Sequence, residues 1–233
     1  MNKKTAVVTG ASSGIGKGIA TMLLAEQYQV VANGRTIAGV FPSSPTLVTN
    51  DGDLTDAGTP AQLLENARSR FGGCDYLFVN AGSIASGTIE EIDIEKMCVM
   101  ARLKVEASYR LIYTFLKYFK KQGNGHVFIT SSVLGTKVRE TAGAYAGCNY
   151  ALEALAESLR MELADTDIEI TCIEPGLVKT GLHRDWKVPP SVQLNISETL
   201  IPEDIAAAVK EIIAKPAHVR IPRYMLLPKG HRI

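Results

Sequence analysis

Residues 5–24 join a short apolar run to a helical pattern through a glycine-rich turn. The residues of this turn that we expect to contact a ligand are Gly10, Ser12, Ser13, Gly14, Ile15 and Gly16. Glycine allows the backbone to turn tightly and to approach a ligand closely, while the start of a helix directs unpaired N–H groups at an anion. A turn of this kind can also serve only to pack a helix on a sheet. The added serine hydroxyls and the strand, turn and helix order favour a site for a nucleotide diphosphate.

Seven apolar runs of strand length recur along the chain, and helical patterns separate most of them. The runs cover residues 4–8, 28–32, 46–49, 75–79, 126–130, 168–173 and 223–227. This alternation predicts an α/β fold: a Rossmann-like, doubly wound parallel sheet of about seven strands with helices on both faces. The stretch 35–46 is the exception, because its two prolines predict a loop instead of a helix. We expect one dinucleotide-binding domain over residues 1–233, since no repeat or linker divides the sequence.

Charge and composition narrow the kinds of partner. The chain has 25 basic and 24 acidic side chains and a net charge of +1, so we expect a small-molecule ligand and no nucleic acid. No apolar stretch approaches the roughly 20 residues that span a bilayer, and no signal-like segment precedes the first strand, which predicts a cytoplasmic protein without a membrane partner. The cysteines, at positions 74, 98, 148 and 172, lack a CxxC spacing. The absence of that spacing favours reduced thiols in the core and predicts no metal site.

The end of the second predicted strand indicates which nucleotide binds. An acidic residue there would hydrogen-bond the adenosine ribose of NAD, but residues 30–33 are followed by Gly34 and Arg35. The Arg35 guanidinium can instead bind the 2′-phosphate of NADP, although a solvated arginine is the alternative. We expect NADPH to be preferred over NADH. Further residues expected at the carboxyl edge of the sheet are Asp53, Leu54, Asn80, Ala81 and Gly82.

Ser132 closes the fifth predicted strand, and Tyr145 follows thirteen residues later at the start of a long helix. With the glycine-rich turn, the Asn80-Ala81-Gly82 run and the later Pro175-Gly176 pair, they give the chain a resemblance to the short-chain dehydrogenase/reductase family over nearly its whole length. The resemblance implies an NADP-dependent oxidoreductase acting on a small carbonyl or alcohol substrate. It implies that Tyr145 exchanges a proton with the substrate oxygen and that Ser132 holds that oxygen.

The same resemblance assigns roles to the segment 175–180. It implies that Pro175, Gly176 and Val178 help to wrap the nicotinamide, with the Thr180 hydroxyl near its carboxamide. Residues 173–178 and 216–219 look closest to NADP-dependent reductases of small hydroxy acids and their ketones.

Two positions depart from the family pattern. Four residues after the tyrosine the family carries a lysine, where this chain has Asn149, and on the preceding helix it carries an asparagine, where this chain has Lys104. We interpret this as an exchange of the two residue types; chance substitution and a register that selects Arg102 are the alternatives. A cation at ~5 Å favours an ionised phenol by roughly 3 kcal/mol at an effective dielectric of ~20. Lys104 can then supply the missing charge, and Asn149 the water site of the family asparagine.

Several functional alternatives stay open on sequence alone. One alternative is a non-catalytic NADP(H)-binding sensor or interaction protein that kept the fold, and another is an enzyme that uses the nucleotide for a different reaction such as dehydration or isomerisation. His126 is interpreted as a turn residue, while His183 and Trp186 either line the pocket or lie on a surface loop. An apolar stripe on the helix at 109–119 is explained by core burial, but members of the family that the chain resembles commonly pair these helices between subunits, so the resemblance implies a homodimer or homotetramer.

Overall fold

The computed structural model of the chain describes residues 3–233. Its centre is one sheet of seven strands in the order β3-β2-β1-β4-β5-β6-β7, and every neighbouring pair is parallel. The strands are β1 (Thr5–Val8), β2 (Gln29–Gly34), β3 (Leu47–Asp51), β4 (Tyr76–Val79), β5 (Asn124–Thr130), β6 (Asp167–Pro175) and β7 (Arg223–Leu226). The predicted doubly wound, Rossmann-like sheet is confirmed, and each strand overlaps one of the seven apolar runs.

Helices cover both faces of the sheet. They are α1 (Gly14–Ala25), α2 (Thr59–Phe71), α3 (Ile94–Ala101), α4 (Ser108–Gln122), α5 (Gly143–Glu162), α6 (Pro190–Gln193) and α7 (Pro202–Ile213). A π-helical segment, Arg102–Ala107, connects α3 to α4. Between β2 and β3 the chain forms no helix, as the prolines predict. The Asp51 carboxylate stabilises this connection by accepting a hydrogen bond of 2.7 Å from the Ile37 amide.

Local sequence explains where several helices begin and end. Gly72 and Gly123, which follow α2 and α4, adopt φ of +85° and +93°, a left-handed conformation that glycine adopts at little cost. Pro202 opens α7, where its missing N–H costs no helical hydrogen bond. The Asp204 carboxylate accepts a hydrogen bond of 2.8 Å from the Ile201 amide and so caps the N-terminus of the same helix.

Alternate strand residues point into two separate apolar layers. Val7 of β1 packs with α2, α4 and α5, whereas its neighbours Ala6 and Val8 pack with α1 and α7. The period of two in a strand produces this division, because successive side chains face opposite sides of the sheet. Leu116 and Phe119 of the predicted α4 stripe lie in the first layer, while Tyr113 is 45% exposed. Core burial therefore accounts for part of that stripe, and its pairing between subunits stays a prediction.

Three of the four cysteines are buried, but the expectation of core thiols is wrong for Cys98, which is exposed on α3. Its helix fully buries only Met100 and partly buries Met97 and Ala101, whereas Cys98 faces outward. Within residues 3–233, no group of three His, Cys, Asp or Glu side chains is arranged to hold a metal ion. No helix in this range combines the length and apolar character that a bilayer crossing requires.

A partly buried ion network fixes the last strand at the edge of the sheet. Arg223 of β7 contacts Glu153 of α5 at 3.1 Å and Glu174 of β6 at 3.6 Å, and both carboxylates are almost fully buried. Burial and the neighbouring Glu153 raise the pKa of Glu174, which makes the Arg223 cation the group that offsets two crowded acids. The segment after β7 is thereby held beside the end of β6, where Gly176 N donates to Leu226 O at 2.7 Å.

The strand order reverses direction at one point. β2 and β3 extend to one side of β1, whereas β4 to β7 extend to the other. A crevice opens above the carboxyl ends of β1 and β4 in sheets of this topology, and ligands bind there.

Candidate active site

A cavity of about 1100 Å³ occupies this crevice. Its lining includes most of the residues predicted as site residues: Gly10, Ser12, Ser13, Gly14, Ile15, Arg35, Asp53, Leu54, Asn80, Ala81, Gly82, Lys104, Ser132, Tyr145, Pro175, Gly176, Val178 and Thr180. The two predicted site residues outside this lining are Gly16 and Asn149. Residues far apart in the chain meet here because parallel strands bring their carboxyl ends to one edge.

The glycines of the glycine-rich turn let its backbone lie very close to neighbouring backbone atoms. Gly10 and Gly14 adopt φ of +65° and +54°, and a Cβ on Gly10 would lie 2.8 Å from the Ala81 backbone. A Cβ on Gly16 would lie 2.4 Å from the Gly10 carbonyl oxygen. Gly16 therefore lets the start of α1 pack against the turn and lies outside the lining of the cavity, and its contact with a ligand stays a prediction. The resulting surface, with the start of α1 behind it, fits a diphosphate.

Asn80 links the turn to β4 and β5. Its amide nitrogen Nδ2 donates to the Thr9 carbonyl at 3.2 Å, and its Oδ1 accepts from the Thr130 hydroxyl at 3.1 Å. The Thr9 hydroxyl donates to Phe78 O at 2.9 Å and accepts from the Asn80 amide at 3.0 Å. These bonds hold the ends of β1, β4 and β5 in one arrangement, which keeps the floor of the cavity rigid.

One end of the cavity carries the groups predicted for the adenosine side. Arg35 is exposed directly after β2, and the Ser12 side chain lies 3.1 Å from the position of a Cβ on Gly34. The Ser12 side chain thus lies beside the backbone from which Arg35 extends. At the end of β3, the amide and hydroxyl of Thr55 both donate to Asp53 at 2.8 Å and lower the pKa of its carboxyl; the charge of Arg35 acts in the same direction.

The segment after β6 forms the opposite wall. Val178 is buried and pairs with Leu200 in an isolated bridge, which holds the segment over the crevice. The Thr180 methyl group lies 3.2 Å from the position of a Cβ on Gly14. The Thr180 hydroxyl accepts from the Leu182 amide at 3.3 Å. Thr180 of this segment therefore lies against the glycine-rich turn.

Ser132 and Tyr145 lie in the same wall of the cavity and are both more than nine-tenths buried. Ser132 follows β5, and its Oγ accepts from the Leu134 amide at 3.1 Å, which leaves the hydroxyl proton available to donate. Tyr145 is in the first turn of α5, a helix that begins at Gly143. The two hydroxyls predicted to contact substrate oxygen thus share one cavity with the predicted nucleotide site.

Lys104 reaches this cavity from the π-helical segment. Its side chain is 5% exposed, and Nζ lies 5.4 Å from the centroid of the Tyr145 ring. Nζ also lies 3.5 Å from the position of a Cβ on Gly82. Arg102, which the alternative register would select in place of Lys104, is exposed, although it also lines the cavity. A π-turn adds a residue to the helix and changes which side chains face inward, and such turns often lie at functional sites.

Asn149 lies behind Tyr145, outside the lining of the cavity. It is fully buried, and its Nδ2 donates to the Tyr145 carbonyl one turn earlier at 2.8 Å. Its Oδ1 is buried without a hydrogen-bond partner among residues 3–233. Through its amide nitrogen Asn149 therefore supports the backbone at Tyr145, while its expected role in holding a water inside the pocket stays a prediction.

The structure also places the candidates that the sequence left open. His126 is a buried strand residue and not a turn residue; it stacks on Phe128 at 3.9 Å, and burial lowers its pKa to about 3. His183 and Trp186 contact each other edge to face at 4.8 Å and line the cavity. Cys148 is buried, and this burial raises the pKa of its thiol. Neither His126 nor Cys148 lines the cavity.

Two further lining residues, Arg139 and His231, have no counterpart in the sequence prediction. Arg139 lies in the loop before α5, and His231 comes from the segment that follows β7. The sequence separates them by 92 positions, and the structure joins them by a hydrogen bond of 3.2 Å. The position of Arg139 in the sequence, between Ser132 and Tyr145, is the signal that could have predicted it as a cavity residue. Nothing in the sequence indicated that the last segment returns to the cavity.

Comparisons with known proteins give a family and a fold. A family model described as short chain dehydrogenase matches residues 4–189. An uncharacterized oxidoreductase of Staphylococcus aureus (strain MW2) is 28% identical over 234 residues and 98% of each chain. The structure of an alcohol dehydrogenase from the archaeon Thermococcus sibiricus, complexed with 5-hydroxy-NADP, has a TM-score of 0.85 at 25% identity over 99% of each chain. A 3-ketoacyl-(acyl-carrier-protein) reductase from Brucella melitensis, complexed with NADH, shares the fold, with a TM-score of 0.87 at 21% identity over 98% of each chain.

Proposed function

Because the chain belongs to the short-chain dehydrogenase family, we propose that it is an NADPH-dependent oxidoreductase that interconverts a small carbonyl compound and a secondary alcohol. One observation carries the proposal: the buried Ser132 and Tyr145 hydroxyls line the same cavity as the glycine-rich turn. A polar pair of this kind beside a nucleotide site suits the protonation of an oxygen atom during reduction.

The proposed mechanism assigns a role to each buried polar group. In the reducing direction the Tyr145 hydroxyl donates its proton to the carbonyl oxygen, and the Ser132 hydroxyl donates a hydrogen bond to the same oxygen. When bound, NADPH supplies the hydride that adds to the carbonyl carbon, and NADP⁺ accepts it in the reverse direction. The Lys104 ammonium, near the Tyr145 ring, favours the phenolate that proton transfer leaves behind. Solvent restores the proton after the alcohol leaves.

The residues around the glycine-rich turn fit a bound nucleotide. Gly10 and Gly14 line the gap at which α1 begins, and Thr180 borders the same gap opposite Gly14. We assign the diphosphate to this gap, the adenine side to Asp53 and Leu54, and the nicotinamide side to the segment 175–180. The fold itself does not select the nucleotide, since the structural relatives include complexes with NADP(H) and with NADH.

NADPH should bind at least about tenfold more tightly than NADH, a difference of about 1.4 kcal/mol. The Arg35 guanidinium and the nearby Ser12 hydroxyl can both donate to a 2′-phosphate, and charge-assisted hydrogen bonds of this kind are strong. Arg35→Ala should reduce the preference to about threefold or less by weakening NADPH alone. Isothermal titration calorimetry with both nucleotides measures the difference.

Arg70→Ala is the matched control, because it removes an exposed guanidinium from α2, outside the cavity lining. It should leave both affinities unchanged at moderate salt. Equal affinities in the parent protein, or a preference for NADPH that survives Arg35→Ala, would show that Arg35 does not recognise the phosphate.

The reaction itself is tested by NADPH oxidation with a panel of short ketones, oxo acids and their esters. We expect turnover with at least one neutral ketone or ester, and alcohol oxidation with NADP⁺ for the corresponding product. Tight NADPH binding without turnover of any compound would favour the non-catalytic sensor. Conversion of a carbonyl or alcohol compound without a change in NADPH absorbance would favour dehydration or isomerisation. We also propose a homodimer or homotetramer, which analytical ultracentrifugation can measure.

A further inference from the structure

The cavity around the proposed active site has an excess of positive charge. Its basic lining residues are Arg35, Arg102, Lys104, Arg139 and Arg184, and its acidic ones are Asp53 and Glu140. Arg35 and Lys104 have roles in the proposed function, and Asp53 lies at the adenosine end. The remaining cations, Arg102, Arg139 and Arg184, have no role in the proposed function. An excess of one sign in a cavity raises the local concentration of ligands of the opposite sign.

Arg139 differs from Arg102 and Arg184 because it is partly buried, whereas those two side chains are exposed. It lies seven residues after Ser132 and six before Tyr145, in the loop that joins their two elements. Within residues 3–233 it forms no ion pair, and the neighbouring Glu140 is exposed. Burial lowers the pKa of the guanidinium. A partly desolvated cation without a counter-ion is costly, and an anion that enters the cavity removes that cost.

His231 holds the Arg139 side chain in place. Nη2 of Arg139 lies 3.2 Å from Nε2 of His231. Arginine can only donate, so Nε2 accepts and the imidazole is neutral with its proton on Nδ1. That Nδ1 is buried without a hydrogen-bond partner among residues 3–233, and it lies 2.5 Å from the position of a Cβ on Gly176. The ring is thus wedged between the end of β6 and Arg139.

The location separates Arg139 from the cofactor's own phosphates. Arg139 is on the connection that follows β5, whereas Arg35 follows β2, and β1 and β4 lie between these strands. Three strand spacings amount to roughly 14 Å. The diphosphate position at the glycine-rich turn follows β1. The anion that Arg139 faces is therefore on the Tyr145 side of the cavity, where the substrate is expected.

From this arrangement we infer that the substrate is a short oxo acid or hydroxy acid whose carboxylate is bound by Arg139, with His231 as a positioning residue. This inference rests on the proposed function for the location of the reacting carbon. One Nη2 hydrogen is directed at His231, which leaves the other N–H groups of the guanidinium for the carboxylate. A planar guanidinium matches a carboxylate in a paired, bidentate geometry that lysine does not reproduce.

The test compares an acid with its own ester, because the two differ only in the charged group. 3-Hydroxybutyrate and methyl 3-hydroxybutyrate are titrated by calorimetry into the NADPH-saturated protein, in which the reduced nucleotide cannot accept a hydride from the alcohol, and into the nucleotide-free protein. The acid should bind the parent at least about tenfold more tightly than it binds Arg139→Met, while the ester should bind both with affinities within about threefold. Arg139→Lys should recover part of the loss, and His231→Ala should weaken the acid selectively but less than Arg139→Met.

Arg232→Met, which removes an exposed neighbouring cation, is the matched control and should leave both affinities unchanged. Thermal melting of each variant verifies folding, with Arg139→Lys as the milder replacement. Equal binding of acid and ester by the parent, equal loss of both in Arg139→Met, or a selective loss of the acid in Arg184→Met but not in Arg139→Met would overturn the inference. The readout is independent of turnover: a protein that binds the acid through Arg139 yet reduces no carbonyl compound would contradict the proposed function alone.

Discussion

Tyr145→Phe should lower kcat by about 10²–10⁴-fold and leave the affinity for NADPH within about threefold. The substitution removes one hydroxyl from a side chain that is 9% exposed and lines the cavity, and it changes almost no packing volume. The reaction then lacks its proton donor, while the nucleotide contacts at the glycine-rich turn remain. Steady-state kinetics with the best ketone of the panel, together with NADPH titration, measures both quantities.

Tyr150→Phe provides the matched control. Tyr150 lies on the same helix but is 42% exposed, so the same loss of a hydroxyl should leave kcat unchanged. Ser132→Ala should lower kcat nearly as far as Tyr145→Phe, because Ser132 donates to the same substrate oxygen in the proposed mechanism. If Tyr145→Phe retains most of its kcat, the proton comes from another group and the proposed roles fail.

The fold was predictable because its signals are local and repeated. Strand periodicity and the glycine-rich turn depend on neighbours in the chain, and parallel pairing then brings the strand ends together. The positions of Gly10, Asn80 and Thr180 around one crevice follow from that rule. The absence of a helix between β2 and β3 was predictable in the same way, since proline lacks the backbone N–H that a helix needs and its ring clashes with the preceding turn.

What the sequence did not predict depends on contacts between distant segments. His231 reaches the cavity from the segment after β7, a strand that pairs with β6 and is anchored by Arg223 against two buried carboxylates, and no pattern in residues 227–233 indicates this. The exposure of Cys98 depends on how little of α3 packs against the body of the protein. Asn149 stands where the family carries a lysine, and its orientation depends on the hydrogen bond that its amide nitrogen donates to the Tyr145 carbonyl. Tertiary packing determines the location, exposure or orientation of each of these side chains, and the residue type alone does not predict it.

Lys104→Met should lower kcat by roughly 100-fold, since about 3 kcal/mol of favourable interaction with a developing phenolate corresponds to about two powers of ten in rate. The ammonium is buried 5.4 Å from the centroid of the Tyr145 ring, so solvent screens it little. For alcohol oxidation, in which the phenolate takes up the proton, the pH at which the rate reaches half of its plateau should move upward. Rate against pH for the parent and the variant measures this shift.

Arg102→Met is the control that separates the two possible registers. It removes an exposed cation two residues away, and it should leave the rate and the pH profile unchanged. The opposite pattern, in which Arg102→Met lowers kcat and Lys104→Met does not, would assign the catalytic cation to Arg102 and reject the exchange.

The pair Lys104→Asn and Asn149→Lys tests the exchange most directly. Asn149 lies one helical turn after Tyr145, where the family carries its lysine, so the double variant restores that arrangement. Lys104→Asn alone should be nearly inactive, and adding Asn149→Lys should recover at least about tenfold in kcat, a non-additivity expected of groups that share one partner. Asn149→Lys alone brings a second ammonium to the site and should bind NADPH normally if the fold is intact. If the double variant stays at the level of Lys104→Asn while its melting temperature matches the parent, Lys104 acts through its place in the π-turn and not through charge alone.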